Sequence, residues 1–141
     1  MITYIDTSVL MKLLVLEEGT DAATQIWDAS DSLVSVSLVQ VEGHAALAAA
    51  ARAGRLSRAQ LRRTRASLAE LLDQMALVQV TAELVDDASE LADVEQLRGY
   101  DAVHLAGALL VTADVMASAD DDLCVAAGNR GLLVANPLGP A

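Results

Sequence analysis

Ile2-Thr3-Tyr4-Ile5-Asp6-Thr7-Ser8 opens the chain with four residues of strand character that run straight into a carboxylate and two hydroxyls. Ile, Thr and Tyr suit a pleated surface. Asp-Thr-Ser is what the end of a strand looks like when a helix follows at once. Outward from this stretch the alternation recurs. Helical patterns over Ser8–Leu16 and Thr20–Ala29, broken around Glu17-Glu18-Gly19, precede a second strand at Leu33–Val36. Ser37-x-x-Gln40 has the form of a capping box and opens a helix of small apolar residues to Ala53, which Gly54 ends. Ser57-x-x-Gln60 opens the next helix, to Asp73. Leu77–Val80 reads as a third strand, followed by a Thr81-capped helix to Gln96. Gly99 breaks the chain and Asp101 begins a helix to Val111. A fourth strand at Val115–Ser118, a helix over Asp121–Ala127 ended by Gly128, and a fifth strand at Leu132–Val134 complete the pattern. Strands alternating with helices predict an α/β fold, a parallel sheet covered by helices on both faces. With no internal repeat and no Pro/Gly-rich boundary, residues 1–141 are expected to form one domain.

Hydrophobic residues make up 54% of the sequence but aromatics only 2%, with no Phe, so Leu, Val and Ala must fill the core. Cys124 is the single cysteine, which excludes an internal disulfide and leads us to expect a reducing cytoplasm. The start has no basic region ahead of Asp6 and is not expected to act as a signal peptide. The longest apolar stretch, Ala102 to Ala113, is too short to span a bilayer, so no membrane partner is expected.

The formal charge of −11 is unevenly spread. Residues 52–65 hold six arginines and no acid, whereas residues 1–51 and 66–141 carry nets of −6 and −11. A carboxylate cluster neutralised by divalent cations would reverse its effect on a phosphate. The remaining acidity suits a basic protein partner.

In folds of this kind ligands bind beyond the C-terminal ends of the strands, where the strand order reverses. Asp6 follows the first strand directly and Asp120 follows the fourth within two residues. Glu42 and Asp101 lie early in helices that can point at the same rim. Each acid taken alone reads first as a cap or first-turn charge that complements the helix dipole. Together they read otherwise, because Glu42 sits in the apolar run Leu38-Val39-Gln40-Val41-Glu42-Gly43-His44-Ala45-Ala46-Leu47, where an unpaired carboxylate is costly. Oxygen ligands without Cys select Mg²⁺ or Mn²⁺ over zinc. Such ions activate water in line with a phosphodiester, and no Ser–His or Cys–His nucleophile pair is apparent.

These residues resemble the PIN domain family, and within it the VapC-type toxins of toxin–antitoxin pairs. The resemblance rests on Ile5-Asp6-Thr7-Ser8, on Ser35-x-x-Leu38-x-x-x-Glu42, and most specifically on Leu97-Arg98-Gly99-Tyr100-Asp101-Ala102-Val103-His104-Leu105-Ala106. Ser118-Ala119-Asp120-x-x-Leu123 and Gly131-Leu132-x-Val134-x-Asn136-Pro137 extend it nearly to the end. It implies a three-layer α/β/α fold with a five-stranded parallel sheet in the order 3-2-1-4-5. It implies Mg²⁺- or Mn²⁺-dependent endoribonuclease activity with Asp6, Glu42, Asp101 and Asp120 as catalytic and metal-site acids. It further implies homodimerisation and inhibition by a VapB-type antitoxin whose C-terminal segment occupies the active-site groove. The family often has Thr and an aromatic before the fourth acid; here the pair is Ser118-Ala119.

Ser8, Ser118 and Asp122 are auxiliary candidates, Asp122 being weighed as a fifth acid against a first-turn helix charge. Thr7 is balanced between a substrate or water contact and simple capping. Arg98 is a candidate for RNA or antitoxin contact, or for an ion pair with a site acid. His104, one helical turn from Asp101, reads as a packed, hydrogen-bonded histidine rather than a general base. Asp114 precedes the fourth strand and belongs at the opposite end of the sheet. The arginine run reads as a solvated helix face ahead of an RNA contact. Haloacid-dehalogenase-like and receiver chemistry both lack their residues, since position 8 is Ser and Lys12 is the only lysine. The alternative that remains is a non-catalytic PIN-like protein that binds an antitoxin or scaffolds a complex.

Overall fold

In the computed structural model, which describes residues 1–139, β1 (Ile2–Ile5) lies in the middle of a five-stranded parallel sheet. Its neighbours are β2 (Ser32–Val36) and β4 (Val115–Ala117), with β3 (Ala76–Val78) and β5 (Leu133–Ala135) at the edges. The order β3-β2-β1-β4-β5 is the expected one. It reverses between β1 and β4, which places the switch point directly beyond Asp6.

Successive side chains of a strand point to opposite faces, and β1 uses both. Tyr4, in register with Val34 and Met116, joins a core under α5 (Ala82–Val94), α6 (Gly99–Leu110) and α7 (Asp121–Asn129). Ile5, beside Ala117, joins a second core under α1 (Thr7–Leu14), α2 (Thr20–Ala29), α3 (Leu38–Arg52) and α4 (Arg58–Asp73). Both side chains are fully buried. Burial of each contributes about 1.5–3 kcal/mol, which makes β1 the strand least able to shift register.

Several helix starts follow the sequence pattern. Ser57 and Gln60 form a reciprocal capping box on α4, and Thr81 accepts from Leu84 N–H on α5. The box expected at Ser37 does not form. Ser37 is itself helical in φ and ψ, its N–H donates to Val78 C=O at 2.8 Å, and Gln40 N–H is already taken by Ser37 C=O. Gly99 does not break the chain but is the first residue of α6. Gly128 does not end α7, which runs to Asn129. The left-handed position that closes that helix is Gly131, at φ +86°, with Leu132 N–H returning to Ala127 C=O and Gly131 N–H to Gly128 C=O. Among the described residues no helix is long and apolar enough to cross a membrane.

Gly107 lets α6 lie directly on Tyr4: a Cβ there would meet Tyr4 Cε2 and Oη at 3.2 Å, tighter than ordinary contact. Gly107→Val should therefore destabilise the protein by about 1–3 kcal/mol through overpacking. The check is urea unfolding, with a lowered midpoint at unchanged m-value.

Candidate active site

Asp6 is both the last word of β1 and the N-cap of α1. Its N–H continues the ladder to Ala117 C=O at 3.1 Å, and its Oδ1 accepts from Val9 N–H at 3.1 Å. The carboxylate is 4% exposed, and the groups that touch it are hydroxyls and an amide rather than a cation. Ser8 Oγ donates to Oδ1 and Ser118 Oγ to Oδ2, each at 2.6 Å. Both serines are occupied a second time, since Ser8 Oγ accepts from Ala119 N–H and Ser118 Oγ from Asp120 N–H. The two auxiliary serines thus clamp the end of β1 to the turn after β4 through the Asp6 carboxylate. Burial holds Asp6 above the usual carboxylate range, against the hydrogen bonds from Ser118, Ser8 and Val9.

Glu42 lies early in α3, with Oε1 taking two donors, Thr7 Oγ1 at 2.8 Å and His104 Nε2 at 2.7 Å. Burial works to raise its pKa, but the hydrogen bonds from His104 and from the Thr7 hydroxyl outweigh it and leave Glu42 below the usual range. Thr7 is therefore a tether for Glu42 rather than a helix cap. His104 is 2% exposed and both ring nitrogens are engaged, the other facing Tyr4 Oη at 2.8 Å. This is the packed, hydrogen-bonded histidine that was expected.

Asp101 and Asp120 form the other half of the rim. Asp120 caps α7 through Oδ1, which accepts from Leu123 N–H at 3.0 Å. Arg98 bridges the pair, with Nε donating to Asp101 Oδ2 at 3.1 Å and an Nη to Asp120 Oδ2 at 2.9 Å. Partial burial, then the charge of Asp120, raise Asp101 despite that partner. The hydrogen bond and charge of Asp101, with the charge of Asp120, raise Arg98 in turn. Asp122 is exposed in the first turn of α7 and reaches the site only through its field on Arg98.

The remaining candidates lie apart. Asp114 accepts from Ile2 N–H at 2.8 Å, at the start of β1 and so at the opposite end of the sheet. Lys12, buried in the last turn of α1, donates to Glu17 at 3.0 Å. Arg55 pairs with Glu17, while Arg52, Arg58, Arg62, Arg63 and Arg65 are exposed. Glu42 and Arg52 are separated by about 15 Å along α3 at 1.5 Å per residue. Cys124 is half-buried against Ser118 C=O, and its thiol is pushed up to about 11 by burial and the neighbouring acids. Sequence reasoning missed Tyr4 and Thr7 as partners of the rim; neither carries a signal that separates it from ordinary strand and cap residues.

The donor chemistry fits a hard divalent cation. All four acids offer oxygen, Asp6 is a buried carboxylate without a cation, and a guanidinium already stands across two of the others. Glu42 Oε2 and Asp101 Oδ1 accept no hydrogen bond among the described residues. Among those residues no three His, Cys, Asp or Glu side chains are closed into a ready coordination group. Arg98 covers Oδ2 of both Asp101 and Asp120, leaving Asp101 Oδ1 open.

A doubly wound sheet with acids from four segments around its switch point defines a carboxylate-centred α/β protein. The chain belongs to the PIN domain family, whose model matches residues 3–129. It is 37% identical over 131 residues to the ribonuclease VapC45 of Mycobacterium tuberculosis (strain CDC 1551 / Oshkosh), covering 93% of this chain and 86% of that one. Its fold is similar to the crystal structure of M. tuberculosis VapC20, a sarcin–ricin-loop-cleaving toxin, with TM-score 0.71 and 19% identity over 93% of this chain and 96% of that one. A toxin–antitoxin complex from Klebsiella pneumoniae aligns with TM-score 0.64 and 20% identity, over 96% and 97% of the two chains.

The raised pKa of Asp6 has a measurable sign. A carboxyl that holds its proton more tightly folded than unfolded stabilises the fold at low pH, and that contribution is lost as pH rises through its folded pKa. With chelator at neutral pH, Asp6→Asn should raise the Tm by about 2–4 °C for each kcal/mol of relieved desolvation. Below the ordinary carboxylate range the two proteins should melt together. Scanning calorimetry across pH reads both.

Proposed function

We propose that this chain is the endoribonuclease toxin of a VapBC-type pair and hydrolyses RNA with a divalent ion, Mg²⁺ or Mn²⁺, held by Asp6, Glu42, Asp101 and Asp120. The reading is supported by the 37% identical ribonuclease VapC45 and by one observation above the rest. Asp6 is buried at the switch point without a cation, while Arg98 spans the two acids beside it. Bound among these acids, the ion supplies a polarised water and neutralises charge on the scissile phosphate. The protein's own nucleophiles are poorly suited to the task. Ser118 is fully buried, Ser8 is committed to Asp6 and Ala119, and the Cys124 thiol stays protonated. We favour water attack without a covalent intermediate over attack by the RNA's own 2′-hydroxyl, which would leave a 5′-hydroxyl on the downstream fragment.

The side chains divide the work. Ser8 and Ser118 fix the Asp6 carboxylate, and Thr7 with His104 fixes Glu42. Arg98, its side chain 78% exposed, is free to exchange Asp101 and Asp120 for an RNA phosphate once a metal takes its place. Beside the rim runs a groove of about 710 Å³, apolar along Leu38, Val80, Val85 and Ala88 and charged at Glu42, Arg98 and Asp101. An antitoxin segment with apolar anchors and a basic residue would fill it and cover the acids. A homodimer is part of the same proposal, with exposed Val94 and Leu110 as apolar contacts.

The test is incubation of the partner-free protein with total bacterial RNA in Mg²⁺, Mn²⁺ or EDTA. Discrete cuts that leave a 5′-phosphate on the downstream fragment and vanish in EDTA are expected. Asp101→Asn and Asp120→Asn should each slow cleavage by roughly 10²-fold or more, the scale of losing one preorganised charge-stabilising group. Silence of the wild type on RNA, with divalent ions bound normally, would move the protein to a non-catalytic antitoxin-binding role. Arg98→Gln should bind Mn²⁺ several-fold more tightly in the absence of RNA, by calorimetric titration, while cutting RNA more slowly.

A further inference from the structure

A chain of buried hydrogen bonds runs from the centre of the sheet to the rim. Tyr4, 0% exposed, and His104, 2% exposed, meet edge to face with ring centroids 5.7 Å apart and planes at 79°. Tyr4 Oη lies 2.8 Å from His104 Nδ1, and His104 Nε2 lies 2.7 Å from Glu42 Oε1. Thr7 Oγ1 donates to that same oxygen at 2.8 Å. Glu42 Oε2 carries no hydrogen bond among the described residues.

The donor and acceptor inventory allows one neutral arrangement. An ionised carboxylate only accepts, so the nitrogen facing Glu42 must carry hydrogen. A neutral imidazole then presents a bare Nδ1, which needs a donor, and the phenol is the group in reach. We infer that Tyr4 and His104 are positioning residues for Glu42: Tyr4 O–H donates to Nδ1, which places the ring proton on Nε2, and Nε2–H anchors Oε1 so that Oε2 faces the rim. Burial keeps the Tyr4 phenol far above its ordinary pKa and therefore a donor. With two donors on Oε1, rotation of the Glu42 carboxylate is blocked. Without the phenol, the ring's other tautomer becomes available, and its bare Nε2 would oppose the carboxylate lone pairs. Gly107 keeps the relay in register, because any side chain there would displace the Tyr4 ring.

The inference rests on the reading of Glu42 as a metal-site acid, and its test separates the two. ¹⁵N NMR of the metal-free protein reads the tautomer directly, with His44, exposed on α3, as the only other histidine. Wild type should show His104 with protonated Nε2 and bare Nδ1, and Tyr4→Phe should show a mixture of tautomers. Tyr4→Phe should also bind Mn²⁺ about 10-fold more weakly, the scale for losing an outer-shell partner of a metal ligand. It should lower kcat on RNA with KM unchanged. His104→Gln, which can return an N–H near the Nε2 position, should restore more Mn²⁺ affinity than His104→Leu. A bare Nε2 in wild type, or Mn²⁺ affinity unchanged in both Tyr4→Phe and His104→Leu, would overturn the relay. If wild type neither binds Mn²⁺ nor cuts RNA, the metal reading fails, and the tautomer still decides whether the relay exists.

Discussion

Everything at the rim answers to a single cost, the burial of the Asp6 carboxylate at the end of the central strand. A charge taken out of water is penalised by several kcal/mol, roughly, even after the protein relaxes around it. Asp6 meets that penalty with two hydroxyls and an amide rather than with a cation. The hydroxyls come from opposite sides of the switch point, Ser8 from α1 and Ser118 from just beyond β4. Because each also accepts a backbone N–H after β4, the carboxylate becomes part of the joint between the two halves of the sheet. Shortening Asp6 would therefore loosen the join of β1 to β4, whereas an amide of the same shape sheds the charge and keeps an acceptor for Ser8 and Val9. The compensation remains incomplete, since its pKa stays raised, and this is what gives the rim its demand for a positive charge.

Distance decides which positive charges can meet that demand. The arginines of residues 52–65 are numerous, but Arg52 lies about 15 Å along α3 from Glu42, and among the described residues none of the six pairs with a rim acid. At physiological salt, exposed charges are screened over about 8 Å. They leave the rim acidic and offer a separate basic face. Arg98 alone among the arginines reaches the acids, from the N-cap of α6, and it covers Asp101 and Asp120 but does not touch Asp6 or Glu42. In a chain of net charge −11, Asp6 and Glu42 are thus left without an arginine partner among the described residues.

Most of the fold was legible because local rules and global topology agree. The strand ending in Asp6, the box at Ser57 and the cap at Thr81 are local patterns that the tertiary structure respects. Where a local pattern failed, a backbone bond had already claimed the group it needed. Ser37 was drawn into the end of the β2–β3 ladder, and the turn after α7 fell at Gly131 because the returning Leu132 N–H required it there. The places of Asp6 and Asp120 at the rim were legible from their positions after strands, and that of Glu42 from the cost of a carboxylate in an apolar helix. The partners were not. Thr7 lies 35 residues from Glu42 and Tyr4 lies 100 from His104, and no spacing rule links positions brought together only by the packing of α1 on α3 and of α6 on the sheet. The resemblance supplied which acids belong together, but not what holds each one.

The site separates into a part that is held and a part that can be released. Asp6 and Glu42 are fixed by short hydrogen bonds to Ser8, Ser118, Thr7 and His104, groups tied in turn to β1, β4, α1 and α6. Asp101 is held instead by one long, exposed side chain, and Asp120 by that side chain together with the Leu123 N–H that it caps. Exposed pairs of that kind contribute little to stability and exchange readily. The arrangement therefore combines preorganisation on one side with a vacatable counterion on the other. Of the four acids that would hold a divalent ion, Asp6 and Glu42 are already oriented, and Arg98 stands across Asp101 and Asp120 with a planar fork of donors that suits carboxylate and phosphate alike.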